Sequence, residues 1–305
     1  MVLCLIGLPV FAILGIFSIK YRRLTIDALE CLFRTVILRK CRSGLDERIK
    51  SVMTGKAMSF SPSIAKFIYR HYKLISWLIL ILFIASLYVS ISGIYNYAKY
   101  GNCNGPADTD FCILDPTGQN NRVSAVEVDR QREIVYPTAK NGDYFFGDNG
   151  TRLTIIEFGC YACPYTKKAE PVIKELLEDY RGRVSLQFVT FIIPRHKLSY
   201  KTSLASYCAK EYGTYPEFHN LMFEIQENLT EDGFGDVAVR LGINQTEFTD
   251  CINKEKYKSS VESDTLAGIH AGVSGTPTFF INHQKIVGPK PERTFRTIIE
   301  EELKK

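Results

Sequence analysis

Residues 155–166 read Ile-Ile-Glu-Phe-Gly-Cys-Tyr-Ala-Cys-Pro-Tyr-Thr and join two differently patterned segments. The run Leu153–Phe158 is mostly β-branched and apolar, which is typical of a buried strand. After Pro164 the apolar residues recur at helical spacing. The stretch therefore predicts a strand, a tight loop and a helix. Cys163 falls at the N-cap and Pro164 at the first helical position, where the missing N–H of proline costs nothing.

The predicted loop places the sulfur of Cys163 where it would be reactive. A thiol at a helix N-terminus faces unpaired N–H groups and the positive end of the helix dipole, and both favour the thiolate. Because the thiolate attacks disulfides, the pattern predicts an exposed, ionised Cys163 that performs thiol–disulfide exchange. Two other interpretations stay open. Cys160 and Cys163 could be inert buried thiols, or half of a zinc site, although the sequence has no second Cys or His cluster that would complete four ligands.

Charge divides the chain into two unlike parts. Residues 1–100 carry 14 lysines and arginines against 4 acids (net +10), whereas residues 101–305 carry 24 against 29 (net −5). The overall charge of +5 is therefore an average of a basic and an acidic part. This split argues against a nucleic-acid partner and indicates a basic, membrane-proximal part followed by an acidic globular part.

Two uncharged apolar segments are long enough to span a lipid bilayer. Residues 1–19 and 74–98 each approach or exceed the ~20 residues that a ~30 Å hydrocarbon core requires. Aromatic residues near the ends of the second segment suit the headgroup region. The first segment could instead be a signal peptide, but it lacks a basic start and a small-residue cleavage site.

The loop between these segments predicts the orientation of the chain. Residues 20–73 carry 13 lysines and arginines against 4 acids, and positive residues in short loops stay cytoplasmic. The loop also contains an apolar stripe at helical spacing, which predicts an amphipathic helix. We therefore expect a two-pass protein of the cell membrane, with the N-terminus and everything after residue 98 outside.

Residues 99–121 are predicted to be an extracytoplasmic linker, because they are rich in Gly, Asn, Asp and Pro. Within this linker Cys103 and Cys112 could close a short disulfide loop in an oxidising compartment. Residues 122–305 then form one predicted domain. Its first β-like stretches are Val123–Val128, Ile134–Tyr136 and Tyr144–Phe146.

The rest of the domain alternates strands and helices, which predicts an α/β fold. Val184–Ile193 is a second β-rich run after the first helix, so the three elements form a βαβ unit with parallel strands. Helical patterns fill residues 195–271. Two short strands follow within Gly275–Gly288, and Pro291–Leu303 is a last predicted helix.

This arrangement resembles the DsbA-like branch of the thioredoxin superfamily, in which a helical domain is inserted into a thioredoxin fold. The resemblance covers roughly residues 144–303. It rests on Glu157-Phe158 before the cysteine loop, Ala205-Ser206-Tyr207-Cys208-Ala209 and Phe218-His219 in the helical block, and Gly275-Thr276-Pro277-Thr278-Phe279-Phe280-Ile281-Asn282. It implies that Pro277 is a cis proline facing the active-site cysteine. It also implies that the backbone of Thr276 pairs with substrate peptide as an added strand.

The cysteine loop departs from the family pattern. Family members have an acid and an aromatic residue, four further residues and then Cys-Pro-x-Cys. Counting from Glu157 puts the first family cysteine at Cys163 and the second at Thr166, so Cys160 is an additional thiol. We expect Cys163 to attack and Cys160 to resolve, provided that their Cα atoms come within ~7 Å. Otherwise the site would be monothiol.

The resemblance implies further roles around this pair. Glu157 takes the position of a buried acid that carries the proton of the resolving thiol, the alternative being a surface carboxylate. Cys208 and Cys251 in the helical block could form a structural disulfide or remain two buried thiols. The residues expected to contact substrate are Thr276, Pro277, Tyr161, Ala162, Pro164, Tyr165 and Thr166.

Together these features predict a membrane-anchored, extracytoplasmic thiol–disulfide oxidoreductase. Its substrates would be cysteine-containing client proteins, and a separate membrane protein would reset the thiol pair. We expect no cofactor and no metal, because the redox equivalents sit on sulfur. A non-catalytic client-binding module or chaperone and a glutathione-type transferase stay open, since fold does not determine function. The direction of exchange, whether oxidation, reduction or isomerisation, also stays open.

Overall fold

A computed structural model describes residues 22, 26, 29–30, 45–126, 134–139, 145–148 and 150–305. The chain divides into two compact units, Met1–Ser92 and Gly93–Lys305. The predicted span over residues 1–19, and most of the amphipathic stripe in the basic loop, lie outside the described residues.

The first unit contains two long helices, α1 (Leu45–Met58) and α2 (Pro62–Tyr100), and α2 continues into the second unit. Within the described part of the chain, only Trp77–Tyr100 is long and apolar enough to cross a membrane. The predicted span over residues 74–98 lies within α2, a helix that begins twelve residues earlier, at Pro62. Apolarity begins at residue 74, but helical hydrogen bonding extends back through charged turns to a proline that fits the first turn.

The second unit is built on a four-stranded sheet. The strands of this unit, including a short pair outside the sheet, are β1 (Ser124–Ala125), β2 (Leu153–Gly159), β3 (Val184–Thr190), β4 (Gly275–Thr276), β5 (Thr278–Ile281) and β6 (Gln284–Val287). The sheet has the order β3-β2-β5-β6, and β1 pairs with β4 separately. The central strand β2 is parallel to β3 and antiparallel to β5. This is the topology of a thioredoxin fold.

Helix α3 (Pro164–Asp179) joins β2 to β3 and completes the predicted βαβ unit. Its buried side chains recur every three or four residues and form one apolar face. They are Thr166, Ala169, Glu170, Ile173 and Leu176. Alternation along β2 directs Leu153 and Ile155 into the same core cluster as this face, and Ile156 and Phe158 into a second cluster that includes both loop cysteines.

A block of helices is inserted between β3 and β4 and has a core of its own. The helices are α4 (Ser199–Glu211), α5 (Tyr215–Ile225), α6 (Phe234–Arg240), α7 (Gln245–Asn253) and α8 (Lys258–His270). Cys208 and Cys251 are joined by a disulfide that links α4 to α7. The final helix, α9 (Glu292–Leu303), packs in the core cluster of α3. The fold is therefore a thioredoxin fold with a helical insertion.

Some predicted features before β2 differ in the structure. Of residues 123–126, the described part of the first predicted stretch, only Ser124 and Ala125 form a strand; Ile134–Tyr136 is irregular, and Phe146 makes an isolated bridge to Leu186. The β-branched composition is present, but a strand also needs a partner edge with matching register.

The predicted linker is ordered over Gly101–Asn121. A disulfide joins Cys103 to Cys112, and the carboxylate of Asp115 accepts hydrogen bonds from the backbone N–H groups of Gln119 and Asn120, both at 3.1 Å. Because these contacts satisfy the backbone locally, a segment with linker composition forms a defined loop.

We predict that the double substitution Cys208→Ala and Cys251→Ala lowers the free energy of unfolding by roughly 2–5 kcal/mol, because the disulfide closes a long loop in the unfolded chain. Urea unfolding of the full chain measures this effect. A matched Cys103→Ala and Cys112→Ala variant, which opens a loop of sequence separation 9 rather than 43, should lose less. Equal losses in the two variants would contradict the loop-length explanation.

Candidate active site

The two loop cysteines lie at the ends of a tight turn between β2 and α3. The N–H of Cys163 donates a hydrogen bond to the carbonyl oxygen of Cys160 at 2.9 Å. A turn closed in this way holds its end Cα atoms within ~7 Å, which is the range that a disulfide requires. Both residues carry free thiols in this structure. The backbone therefore permits a Cys160–Cys163 bridge.

The turn begins at Gly159, beside the ring of Phe188 on β3. A Cβ atom at Gly159 would lie 2.3 Å from Cε2 of Phe188. No side chain can be accommodated at that distance, so the last residue of β2 must be glycine for the loop to start here. The ring of Phe188 thereby sets the position of the cysteine loop.

Cys163 occupies the N-cap of α3, with Pro164 as the first helical residue. Its side chain makes no capping hydrogen bond within the described part of the chain. The sulfur instead lies 3.2 Å from the hydroxyl oxygen of Ser124 and 3.4 Å from the carbonyl oxygen of Thr276. Cys163 is 0% exposed. The predicted exposure of this sulfur is therefore wrong for this structure, because β1 and the loop before β5 cover it.

The Thr276–Pro277 peptide bond is cis. The carbonyl oxygen that contacts the Cys163 sulfur belongs to this same Thr276, so the proline loop and the start of α3 meet at the sulfur, as the resemblance implies. Thr276 is fully buried, and its backbone is paired with Ser124 of β1.

Cys160 is also buried, but it contacts different residues. Its thiol donates to the hydroxyl oxygen of Ser199 at 3.3 Å. Burial raises the pKa of Cys160 to about 11, and the hydrogen bond between Cys160 and Ser199 opposes this only in part. Cys160 therefore holds its proton at neutral pH and needs an acceptor before it can act as a nucleophile.

Four of the seven residues expected to contact substrate are buried: Tyr161 and Thr166 in the cysteine loop, and Thr276 and Pro277 in the proline loop. Thr166 accepts a hydrogen bond from the N–H of Cys160 at 3.4 Å and is fully buried, so it supports the loop from below. Tyr161 is 1% exposed because its ring packs against Phe188 and Phe218. Helical insertion and sheet together enclose this large aromatic side chain. The residues of the predicted rim that retain exposure in the loop are Ala162, Pro164 and Tyr165.

Glu157 is a fully buried carboxyl group on β2. Neither carboxyl oxygen has a hydrogen-bond partner among the described residues. Burial raises the pKa of Glu157 well above its usual range, and the negative charges of Glu170 and Cys163 raise it further. The carboxyl therefore keeps its proton to a higher pH than an exposed Glu does, close to the cysteine loop.

Polar residues outside the loop also contact it, and the sequence did not predict these contacts. The side-chain amide of Gln226 donates to the carbonyl oxygens of Tyr161 and Cys163, at 2.6 and 3.1 Å. His219 lies between Glu170 and the hydroxyl of Tyr161, at 3.2 and 3.0 Å. These residues belong to the insertion or to α3, and only the folded chain brings them to the cysteines.

His196 is a further residue that the sequence did not single out. Its Nε2 lies 2.7 Å from the hydroxyl oxygen of Ser124, which in turn contacts the Cys163 sulfur. Burial lowers the pKa of His196, and the charge of Arg195 adds to this effect. A neutral imidazole is therefore connected to the sulfur through one hydroxyl group.

A protein-family model described as Thioredoxin matches residues 139–301, which is more than half of the chain. The chain belongs to this thioredoxin family. The matched segment contains the cysteine loop, the helical insertion and the cis proline, so the family assignment covers the whole candidate site except Ser124.

Individual members of the family extend this result. The chain is 27% identical over 174 residues to disulfide bond formation protein D of Bacillus subtilis, covering 53% of this chain and 78% of that one. The solved structure of oxidised BdbD from Bacillus subtilis is 26% identical, with a TM-score of 0.52, and covers 57% of this chain and 100% of that one. These are thioredoxin-fold relatives with DsbA-like architecture.

The family domain also occurs in much longer proteins. The Na(+)/H(+) antiporter NhaA 3 of Salinispora tropica is 29% identical over 160 residues, which is 52% of this chain. The chain spans about a quarter of the length of the antiporter relatives that it matches. In these relatives the matched segment is therefore one part of a much longer protein.

We predict that Glu157→Gln flattens the pH dependence of stability. Because the pKa of Glu157 is raised in the folded state, the folded chain binds more protons than the unfolded chain above the ordinary Glu pKa. The contribution of Glu157 to wild-type stability is therefore complete below pH ~4 and falls as pH rises, by up to ~1.4 kcal/mol per pH unit. Urea unfolding between pH 4 and 8 should show the smaller slope in Glu157→Gln.

A Glu175→Gln variant is the matched control, since Glu175 is an exposed acid on α3. It should retain the wild-type slope. Identical slopes in wild type and Glu157→Gln would contradict the raised pKa of the buried carboxyl.

Proposed function

We propose that this chain is a membrane-anchored thiol–disulfide oxidoreductase that acts on cysteine-containing proteins outside the cytoplasm. The observation that carries the proposal is the position of the Cys163 sulfur at the start of α3, 3.4 Å from the carbonyl oxygen before the cis proline. In this geometry the site for a client sulfur, at Cys163, lies beside the site for client backbone, at Thr276. The similarity to a protein named for disulfide bond formation supports the same activity.

The proposed exchange proceeds through a mixed disulfide on Cys163. In the reducing direction the Cys163 thiolate attacks a client disulfide, a new S–S bond forms, and one client sulfur leaves as a thiolate that takes up a proton. Cys160 then loses its proton, attacks the Cys163 sulfur and releases the second client thiol, which leaves a Cys160–Cys163 disulfide. The oxidising direction is the same sequence reversed.

Proton movement is the difficult part of this sequence for Cys160. With a pKa of about 11, its thiolate is a poor leaving group in the oxidising direction. A proton supplied as the sulfur leaves would assist that step, and the carboxyl of Glu157, with its raised pKa, is a buried proton store in the same loop region. We assign Glu157 this role and Cys160 the role of resolving thiol.

The substrate contacts follow from the exposed part of the loop. Client backbone would pair with Thr276 beside Pro277. Ala162, Pro164 and Tyr165 would contact the client from the opposite side, since they retain exposure.

Anchoring is proposed through α2, whose Trp77–Tyr100 segment suits a bilayer in length and composition. We propose a second span over residues 1–19, a cytoplasmic basic loop, and an outer location for the thioredoxin domain. A disulfide in the ordered segment after α2, Cys103–Cys112, accords with an oxidising compartment. A separate membrane protein would reset the Cys160–Cys163 pair.

One observation favours a second candidate function. The complete burial of Cys163 is what a non-catalytic client-binding module would tolerate, because binding at the proline loop needs no accessible sulfur. The replacement of the second family cysteine by Thr166 points the same way.

An exchange assay on the full chain in detergent separates these functions. We predict that Cys163→Ala abolishes both insulin reduction and the oxidation of reduced ribonuclease. Cys160→Ala should instead slow turnover and accumulate a mixed disulfide, because the resolving step is lost. Cys41→Ala, which removes a cysteine outside the thioredoxin domain, should leave the rate unchanged. A Cys163→Ala variant with wild-type rates would exclude the proposed chemistry.

A further inference from the structure

The edge of the cis-proline loop is occupied by the chain itself. Ser124 and Ala125 pair antiparallel with Thr276 and Gly275, and the N–H of Val126 donates to the carbonyl oxygen of Ser274 at 2.7 Å. This is the edge to which the proposed function assigns client peptide. A segment that precedes the whole thioredoxin domain therefore occupies the place of an added strand.

Within this segment, Ser124 lies where a reacting client atom would have to be. Its hydroxyl oxygen is 3.2 Å from the Cys163 sulfur, and Ser124 and Cys163 are 1% and 0% exposed. Serine is the oxygen counterpart of cysteine, so the side chain reproduces the position of a client sulfur without its chemistry. While Ser124 remains there, a client sulfur has no path to Cys163.

The fit between the segment and the loop is close along its length. A Cβ atom at Gly275 would lie 2.7 Å from the carbonyl oxygen of Ser124, so the two backbones touch where only glycine leaves room. The guanidinium group of Arg195 donates to the carbonyl oxygen of Val123 at 3.4 Å. Val126 packs against the apolar cluster that contains the loop cysteines.

The segment is also fixed at its N-terminal end. The side-chain amide of Asn121 donates to the carbonyl oxygens of Thr109 and Asp110, at 3.3 and 3.0 Å. These two residues lie within the loop that the Cys103–Cys112 disulfide closes. The segment is thus attached to a covalently closed loop and reaches the active site from there.

We propose that residues 122–126 form a pseudosubstrate strand that must leave the cis-proline loop before Cys163 can react with a client. A client then binds in the same antiparallel register, with its cysteine in the place of Ser124 and an apolar residue two positions later in the place of Val126. The preferred client is therefore an extended segment with the pattern Cys-x-apolar. This inference rests on the proposed function, because it assigns clients to the Thr276 edge.

The first experiment releases the strand and measures the accessibility of the sulfur. Ladder hydrogen bonds alternate in direction along an antiparallel pair, so the N–H of Val126 faces β4 whereas that of Ala125 points away. Val126→Pro therefore removes a ladder bond, and Ala125→Pro is a matched control that does not. The full chain in detergent is treated with iodoacetamide, and alkylation of Cys163 is followed by peptide mass spectrometry.

We expect Cys163 in Val126→Pro to be alkylated at least ~10-fold faster than in wild type, because the strand opens locally. Ala125→Pro should remain near the wild-type rate. Equal rates in Val126→Pro and wild type, or an equal acceleration in both proline variants, would overturn the proposal.

The second experiment tests the register. The S124C variant of the full chain is incubated with oxidised glutathione, which is reduced to two glutathione molecules as two protein thiols join. We expect an intramolecular disulfide between the introduced thiol and Cys163, detected by peptide mapping without reductant. S259C, at an exposed position on α8, is the control and should give no such link.

The two proposals fail separately. If the S124C link does not form while the exchange assay shows a Cys163-dependent activity, the pseudosubstrate register is wrong and the proposed function stands. If the link forms and the exchange assay shows no activity, the register is supported and the oxidoreductase function is wrong.

Discussion

The candidate site depends on one contact, between the start of α3 and the loop that leads into β5. The Cys163 sulfur lies 3.4 Å from the carbonyl oxygen of Thr276, although 113 residues separate them in the chain. Sheet register produces this contact, because Phe158 at the end of β2 is paired with Thr278 at the start of β5. The segment that follows β2 therefore meets the segment that precedes β5. The cysteine loop and the cis proline are those two segments.

Burial determines the chemical character of this site. Ser124 and the proline loop cover Cys163, Ser199 binds Cys160, and Glu157 lies below them without a partner among the described residues. Water is excluded from Cys160 and Glu157, so burial raises the pKa of both groups. Strand β1, which covers the Cys163 sulfur through Ser124, pairs over only two residues.

The parts of the site that are local in sequence could be predicted from it. The strand, the turn, the N-cap cysteine and the proline all lie within residues 153–164, and their order alone indicates how they are arranged. Glu157 and the cis Pro277 could be assigned because a family resemblance supplied their roles. Ser124, His196 and Gln226 could not be found in this way, since their functions arise from pairing across long separations. For the same reason the burial of Cys163 and Tyr161 was missed: it depends on β1 and on the helical insertion, not on the loop.

The central claim is that Cys163 is the sulfur that exchanges with client sulfur at the proline loop. Trapping the mixed disulfide tests it most directly. The reduced full chain carrying Cys160→Ala would be mixed with a single-cysteine peptide activated as a 5-thio-2-nitrobenzoate disulfide, and the release of the aromatic thiol would be followed by absorbance. The account predicts one peptide adduct per chain, located on Cys163 by mass spectrometry. Release without an adduct on Cys163, or an adduct that forms equally in a chain lacking Cys163, would contradict it.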